Sequence, residues 1–162
     1  MRPNPWFVLA LLAWPCLVLA VEPGEAAPEF ELPGLQGQVR LADYRGKTVY
    51  LDFWASWCGP CKQSFPWMNE MQARYAAKGL RIVGVNVDRT AVDAQKFLQA
   101  APARFDLAFD LAGAVPRNYA VKAMPTSFLI GPDGRVLAVH SGFQPEEKAA
   151  LEQRIRLALG ER

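Results

Sequence analysis

The sequence predicts an α/β fold: a mixed central β-sheet with helices on both faces and a small β-hairpin in front. Three observations lead there. Lys47 to Trp54 (KTVYLDFW) and Leu80 to Val87 (LRIVGVNV) are near-continuous apolar runs rich in β-branched residues, as buried strands are. Between them Phe65, Met68, Met71 and Tyr75 recur at helical spacing. Downstream, two more apolar runs flank Gly131-Pro132-Asp133-Gly134, a turn that pairs them antiparallel.

The chain opens on a targeting segment, residues 1–21. Arg2 supplies one positive charge, and Trp6 to Val21 carries none. As a helix that stretch measures about 24 Å, short of the ~30 Å hydrocarbon core, and Pro15 weakens a stable span further. Small residues close it at Val18-Leu19-Ala20, which reads as a secretory signal cut after Ala20. The alternative is an uncleaved anchor in the inner membrane. Cys16 follows bulky Trp14-Pro15, unlike a lipoprotein cleavage site, and reads as an apolar residue of the signal. Either way the expected location is periplasmic, where thiols oxidise. Residues 22–28 (EPGEAAP) read as a polar linker, and residues 29–162 as one domain.

Within that domain Phe30–Leu32 and Val39–Leu41 form the small extra hairpin. After the first long strand a helix runs from Cys61 to Lys78, with Gly79 where a helix stop belongs and Pro66 as a kink. Strand, helix and strand with short connections make a right-handed βαβ unit with parallel strands. Ala94, Phe97, Leu98 and Ala101 mark another amphipathic helix. Thr126–Ile130 and Val136–Ser141 form the antiparallel hairpin. Pro145 then opens a last helix, with Leu151, Ile155 and Leu159 on one face.

Composition excludes several classes of function. Of 162 residues 51% are apolar and 21% charged, which fits a globular chain rather than a disordered one. Eighteen Lys and Arg against sixteen Asp and Glu leave +2 without a run of like charge, so no nucleic-acid partner is expected. Three cysteines are too few for a disulfide-stapled miniprotein.

The chemistry sits at Trp57-Cys58-Gly59-Pro60-Cys61-Lys62. Two cysteines three residues apart at a helix start can close a disulfide, Cys58–Cys61. Cys58, at or before the first turn, lies where unpaired N–H groups and the helix dipole favour a thiolate. A lowered pKa makes it the nucleophile toward a partner disulfide. Cys61, one turn further in, then resolves the mixed disulfide by attacking Cys58. Pro60 has no N–H to leave unpaired in that first turn. Half a zinc site is a competing reading, but only His140 and Cys16 remain as soft ligands, so no metal or other cofactor is expected. A purely structural disulfide is another, though so small a loop constrains the unfolded chain little. His140 stands in a strand with no acid or thiol at motif spacing and receives no role.

Val49 through Lys62 (VYLDFWASWCGPCK) resembles the thioredoxin active-site strand and turn. Leu41 to Lys47 before it and Asp110 through Val136 after it resemble the exported TlpA/ResA-type branch of that superfamily. The resemblance implies a thioredoxin fold, a cis bond at Met124-Pro125, and substrate contacts from Trp57, Gly59, Pro60, Met124 and Pro125. Trp54, Trp57 and Met124 are expected to surround the sulfurs with apolar surface. Asp52 matches the buried acid of thioredoxin, implying a raised pKa and a role in taking the proton of Cys61. The lysine that thioredoxin places near that acid is replaced by Gly84. The function so implied is a monomeric periplasmic thiol-disulfide oxidoreductase. It reduces cysteine pairs in exported proteins, as in cytochrome c maturation, with electrons from a DsbD- or CcdA-type membrane donor. A disulfide-forming oxidase, a peroxiredoxin-like antioxidant and a non-catalytic binding module are the alternatives. Ser56-Trp57-Cys58 lacks the Pro-x-x-x-Thr turn that a peroxiredoxin needs.

Overall fold

The computed structural model describes residues 21–161, so the expected signal segment and Cys16 lie outside the described residues, apart from Val21. Seven strands form one sheet: β1 (Glu31–Gly34), β2 (Gly37–Arg40), β3 (Thr48–Trp54), β4 (Leu80–Asn86), β5 (Asp106–Phe109), β6 (Thr126–Ile130) and β7 (Val136–Ser141). Their order is β2-β1-β5-β4-β3-β6-β7. Strands β3, β4 and β5 run parallel, while β6 pairs antiparallel with both β3 and β7. Four α-helices join them: α1 (Gly59–Tyr75), α2 (Ala91–Ala100), α3 (Ala114–Asn118) and α4 (Lys148–Ala158).

Every residue of β3 is buried, and its alternating side chains feed two separate cores. Tyr50 and Trp54 point to the face covered by α1, α2 and α4, with Phe65, Met68, Phe97, Leu151 and Ile155. Val49, Leu51 and Phe53 point to the opposite face, which is closed by Leu41, Val115 and Tyr119. Each fully buried side chain of this size contributes about 1.5–3 kcal/mol. The two cores therefore hold β3 between them and fix the loop that leaves its C-terminal end.

The expected elements are found with small shifts of boundary. α1 ends at Tyr75, and a 3-10 turn over Ala76–Lys78 leads to Gly79, whose φ of 100° supplies the left-handed stop. Gln144 and Glu147 form a capping box ahead of α4. Two elements carried no readable signal. β5 and α3 span four and five residues, too short for a period to repeat, and only their pairing and packing define them. Residues 22–28 lie along the sheet edge: Ala27 N–H donates to the Gly134 carbonyl at 2.9 Å and Val136 N–H to the Glu25 carbonyl at 2.9 Å. Val21 and Ala27 are buried in the second core.

Candidate active site

Parallel strands deliver their C-terminal ends, and the loops that follow them, to one edge of the sheet. At that edge β3 passes through Ala55, Ser56 and Trp57 into Cys58, which caps the N-terminus of α1. Cys58 and Cys61 are joined in a disulfide with α-carbons 5.3 Å apart. Cys58 Sγ also accepts the main-chain N–H of Cys61 at 3.2 Å. A sulfur thus occupies the capping place that a serine or aspartate oxygen usually takes. Pro60 stands in the first turn, where a missing N–H leaves nothing unpaired. Cys61 is fully buried and Cys58 is 3% exposed, whereas Trp57 beside them is 70% exposed.

The loop before Cys58 is pinned from β4. Ser56 donates its N–H to Asp88 Oδ2 at 3.0 Å and its hydroxyl to Asp88 Oδ1 at 2.9 Å. Asn86 Nδ2 donates to Asp88 Oδ2 at 2.8 Å, and Asp88 N–H returns a bond to Asn86 Oδ1 at 3.1 Å. This clamp is absent from the sequence reading. A single Asp after an apolar strand carries no motif, and only the fold brings it to Ser56.

The second loop at this edge holds Met124 and Pro125, joined by a cis peptide bond. Pro125 leads straight into β6, whose Thr126 pairs with Phe53 of β3. The Pro125 carbonyl accepts from Gly142 N–H at 2.8 Å, and Thr126 Oγ1 donates to the Ala123 carbonyl at 2.7 Å. Met124 is half-buried against both cores. Trp54 departs from the expected apolar rim. It is wholly buried, with ring centroids 4.9 Å from Phe65 and 4.7 Å from Phe97, and belongs to the core rather than the surface.

Asp52 lies on β3 on the same face as Trp54 and is 2% exposed. Burial pushes its carboxyl well above the ordinary carboxylate range. Its Oδ2 has no hydrogen-bond partner among the described residues. Gly84 stands directly beside it in register. A Cβ at Gly84 would lie 3.0 Å from Leu107 Cδ2, 3.1 Å from Phe105 Cε2 and 3.2 Å from Trp54 Nε1, so no lysine stem has room there. Among the described residues no three His, Cys, Asp or Glu gather into a metal site.

A helix-capping dithiol beside an X-Pro loop on this sheet order points to one superfamily, and comparison narrows it. The family model described as AhpC/TSA matches residues 23–139. The chain belongs to the AhpC/TSA family. Within that family it is similar to the thiol-disulfide oxidoreductase ResA of Bacillus thuringiensis subsp. konkukian (strain 97-27), 37% identical over 129 residues, covering 79% of this chain and 75% of that one. ResA of Bacillus subtilis (strain 168) is 35% identical over 128 residues, covering 78% and 72%. Among solved structures, a candidate thiol:disulfide interchange protein DsbE from Chlorobium tepidum superposes with a TM-score of 0.86 at 59% identity, covering 87% of this chain and all of that one. This AhpC/TSA member is a ResA-like enzyme with a thioredoxin-type fold, a thiol-disulfide oxidoreductase.

Proposed function

We propose that this enzyme reduces disulfides in exported proteins on the periplasmic side of the inner membrane. Its nucleophile is Cys58, its resolving thiol Cys61, and Asp52 is the proton acceptor. The observation that carries the reading is the hydrogen bond from Cys61 N–H to Cys58 Sγ at a helix N-terminus. A donor already aimed at that sulfur, with the helix dipole behind it, favours the thiolate over the thiol.

In the reduced enzyme Cys58 thiolate attacks one sulfur of a substrate disulfide, forming a mixed disulfide and releasing the other sulfur as a thiolate. The Cys61 thiol gives its proton to the Asp52 carboxylate, directly or through water, and its sulfur attacks Cys58. The Cys58–substrate bond breaks, the second substrate sulfur leaves as a thiolate, and the enzyme keeps the disulfide. Two electrons have passed to the substrate. The buried setting of Asp52 suits this role, because a carboxylate short of hydration is a stronger base than one in water. Trp57, Gly59 and Pro60 on one loop and Met124 and Pro125 on the other form the substrate-contacting rim. None of the main-chain hydrogen bonds around the second loop uses Met124, which leaves its N–H and C=O for an extended substrate strand. The exposed Trp57 ring suits an unfolded polypeptide better than a small polar thiol.

The Gly-Pro pair between the cysteines, shared with reducing thioredoxins, supports the reductive direction. Electrons then come from a DsbD- or CcdA-type membrane donor, and apocytochrome c is the substrate class expected of a ResA-like enzyme. The test is a reduction potential together with a trap. A potential near the thioredoxin value of about −270 mV supports reduction, and one near the DsbA value of about −120 mV makes the enzyme an oxidase. Cys61→Ala expressed with its signal segment should accumulate covalent adducts with exported, cysteine-paired proteins. Adducts confined to cytoplasmic proteins would end the periplasmic reading.

A further inference from the structure

The edge that carries the dithiol also carries apolar surface that the sulfur chemistry does not use. Among the described residues six large apolar side chains are exposed, and three of them, Trp57, Val92 and Leu111, follow the C-terminal ends of β3, β4 and β5. Beside Trp57 a groove opens between the start of α1 and α2, lined by Ser56, Lys62, Asp93, Lys96, Phe97 and Ala100. Ser56 brings it within two residues of Cys58, while Phe97 and Ala100 give it an apolar wall. Strand order separates this groove from the Met124-Pro125 loop. α2 follows β4 on one side of β3, and the X-Pro loop leads into β6 on the other. A polypeptide lying across the dithiol thus meets main-chain groups on one side and the groove on the other.

The groove is positively charged. Lys62 and Lys96 are exposed, and neither has an ion-pair partner among the described residues. Arg89, equally exposed and unpaired there, adds a cation on the loop between β4 and α2. The one acid in the lining, Asp93, is engaged at its own helix start. Thr90 donates its hydroxyl to Asp93 Oδ2 at 2.6 Å, and the Asp93 N–H returns a bond to Thr90 Oγ1 at 3.4 Å. Lys62 lies four residues beyond Cys58, a rise of about 6 Å along α1, which an extended chain covers in about two residues. Val92 stands one turn before Lys96 on α2, so apolar and cationic surface adjoin.

We propose that this groove is a specificity subsite for an acidic side chain of the polypeptide substrate, placed roughly two to four residues from the cysteine that Cys58 attacks. Lys62 and Lys96 hold the carboxylate, and Val92 with the apolar wall takes a neighbouring side chain. No bond is made or broken there: the subsite raises the local concentration of the substrate disulfide at Cys58. Polypeptides with an acidic residue near the cysteine pair are therefore reduced faster than those with a basic one. The inference rests on the reading of the enzyme as a reductase of exported polypeptides.

The test uses reduced enzyme and three peptides, each closed by one Cys-x-x-Cys disulfide and differing only in Glu, Gln or Lys at those flanking positions, tried on each side of the pair. Loss of peptide disulfide under single-turnover conditions gives a second-order rate constant for each. On one side of the pair the Glu peptide should react about fivefold faster than the Gln peptide at low salt, the upper range for an exposed ion pair, and the Lys peptide slowest. The ratio should fall toward one in about 1 M salt, where the Debye length is roughly 3 Å. Lys62→Gln with Lys96→Gln should bring the ratio to one, and Lys62→Glu with Lys96→Glu should invert it. Because the readout is a ratio, a change in Cys58 reactivity that slows every peptide alike does not move it. Lys96→Gln alone should lower the ratio, which keeps the test if a change at Lys62 disturbs α1. Lys47→Gln removes the same charge just ahead of β3, at the opposite edge of the sheet, and should leave the ratio unchanged. Equal rates for the three peptides, or a preference for Glu that survives the double Gln variant or high salt, overturn the subsite while the reductase reading stands. Reduced enzyme that attacks none of the peptides removes that reading, and the subsite with it.

Discussion

The main-chain N–H of Cys61 points at the sulfur of Cys58 from 3.2 Å, so the helix begins by hydrogen-bonding to its own nucleophile. This bond uses backbone, and it survives any change of the Cys61 side chain other than to proline. Reduced Cys58 is accordingly expected to ionise below the ~8.5 of a free thiol, and to do so equally in Cys61→Ala. Iodoacetamide alkylation against pH measures the midpoint. A midpoint at the free-thiol value would remove the helix cap as the source of reactivity. Cys58→Ala should be inert in insulin reduction.

Asp52 carries a second prediction, with its sign fixed by burial. Its folded pKa is raised, so the unfolded chain ionises first as pH climbs, and folding is disfavoured progressively from the ordinary carboxylate pKa up to the folded value. Asp52→Asn should therefore melt higher than the parent at neutral pH, by roughly 2–4 °C for each kcal/mol recovered. The gain should vanish toward pH 4 and below, where both side chains are uncharged. Calorimetry at pH 4 and pH 8 decides it, and equal melting temperatures at pH 8 would contradict a carboxyl raised by burial. The same variant should slow insulin reduction without losing the fold.

Gly84 is the reason that no side chain approaches Asp52 from β4. Its missing Cβ faces Leu107, Phe105 and Trp54 at 3.0–3.2 Å, so Gly84→Ala forces small shifts in all three. A cost of about 1–3 kcal/mol in urea unfolding is expected. Gly84→Lys should cost more still, because a buried ammonium is added to the overpacking.

Asp88 predicts a loss of a different kind. It is 4% exposed and holds the Ser56 N–H, the Ser56 hydroxyl and the Asn86 amide. Asp88→Ala leaves those donors unpaired at about 1–3 kcal/mol for a buried group. It also frees the loop that aims Cys58, so insulin reduction should fall together with stability. Asp88→Asn keeps one acceptor oxygen and should recover part of both. Wild-type activity in Asp88→Ala would reduce the clamp to a scaffold feature.

The sequence carried most of the frame, for a reason visible in particular elements. β3 and β4 are buried on both faces, so their residues are apolar throughout and the runs stand out. α1 declares itself because Phe65, Met68, Met71 and Tyr75 must all reach one core. Short β5 and α3 leave no such trace, since a few residues cannot repeat a period. Trp54 shows the opposite error. It was expected to join Trp57 and Met124 as apolar surface around the sulfurs, but strand alternation turns its ring inward onto Phe65 and Phe97.

What the chain determined alone is local: which segments are strands, where α1 begins, and that two sulfurs sit one helical turn apart. Those follow from periodicity and from neighbours in sequence. Only the folded sheet set Asp52 beside Gly84 and Ser127, and Ser127 beside His140, and only it brought Asp88 beneath Ser56. Strand register is fixed by the packing of two cores around β3, which couples residues far apart in the chain, and no spacing along one segment records it.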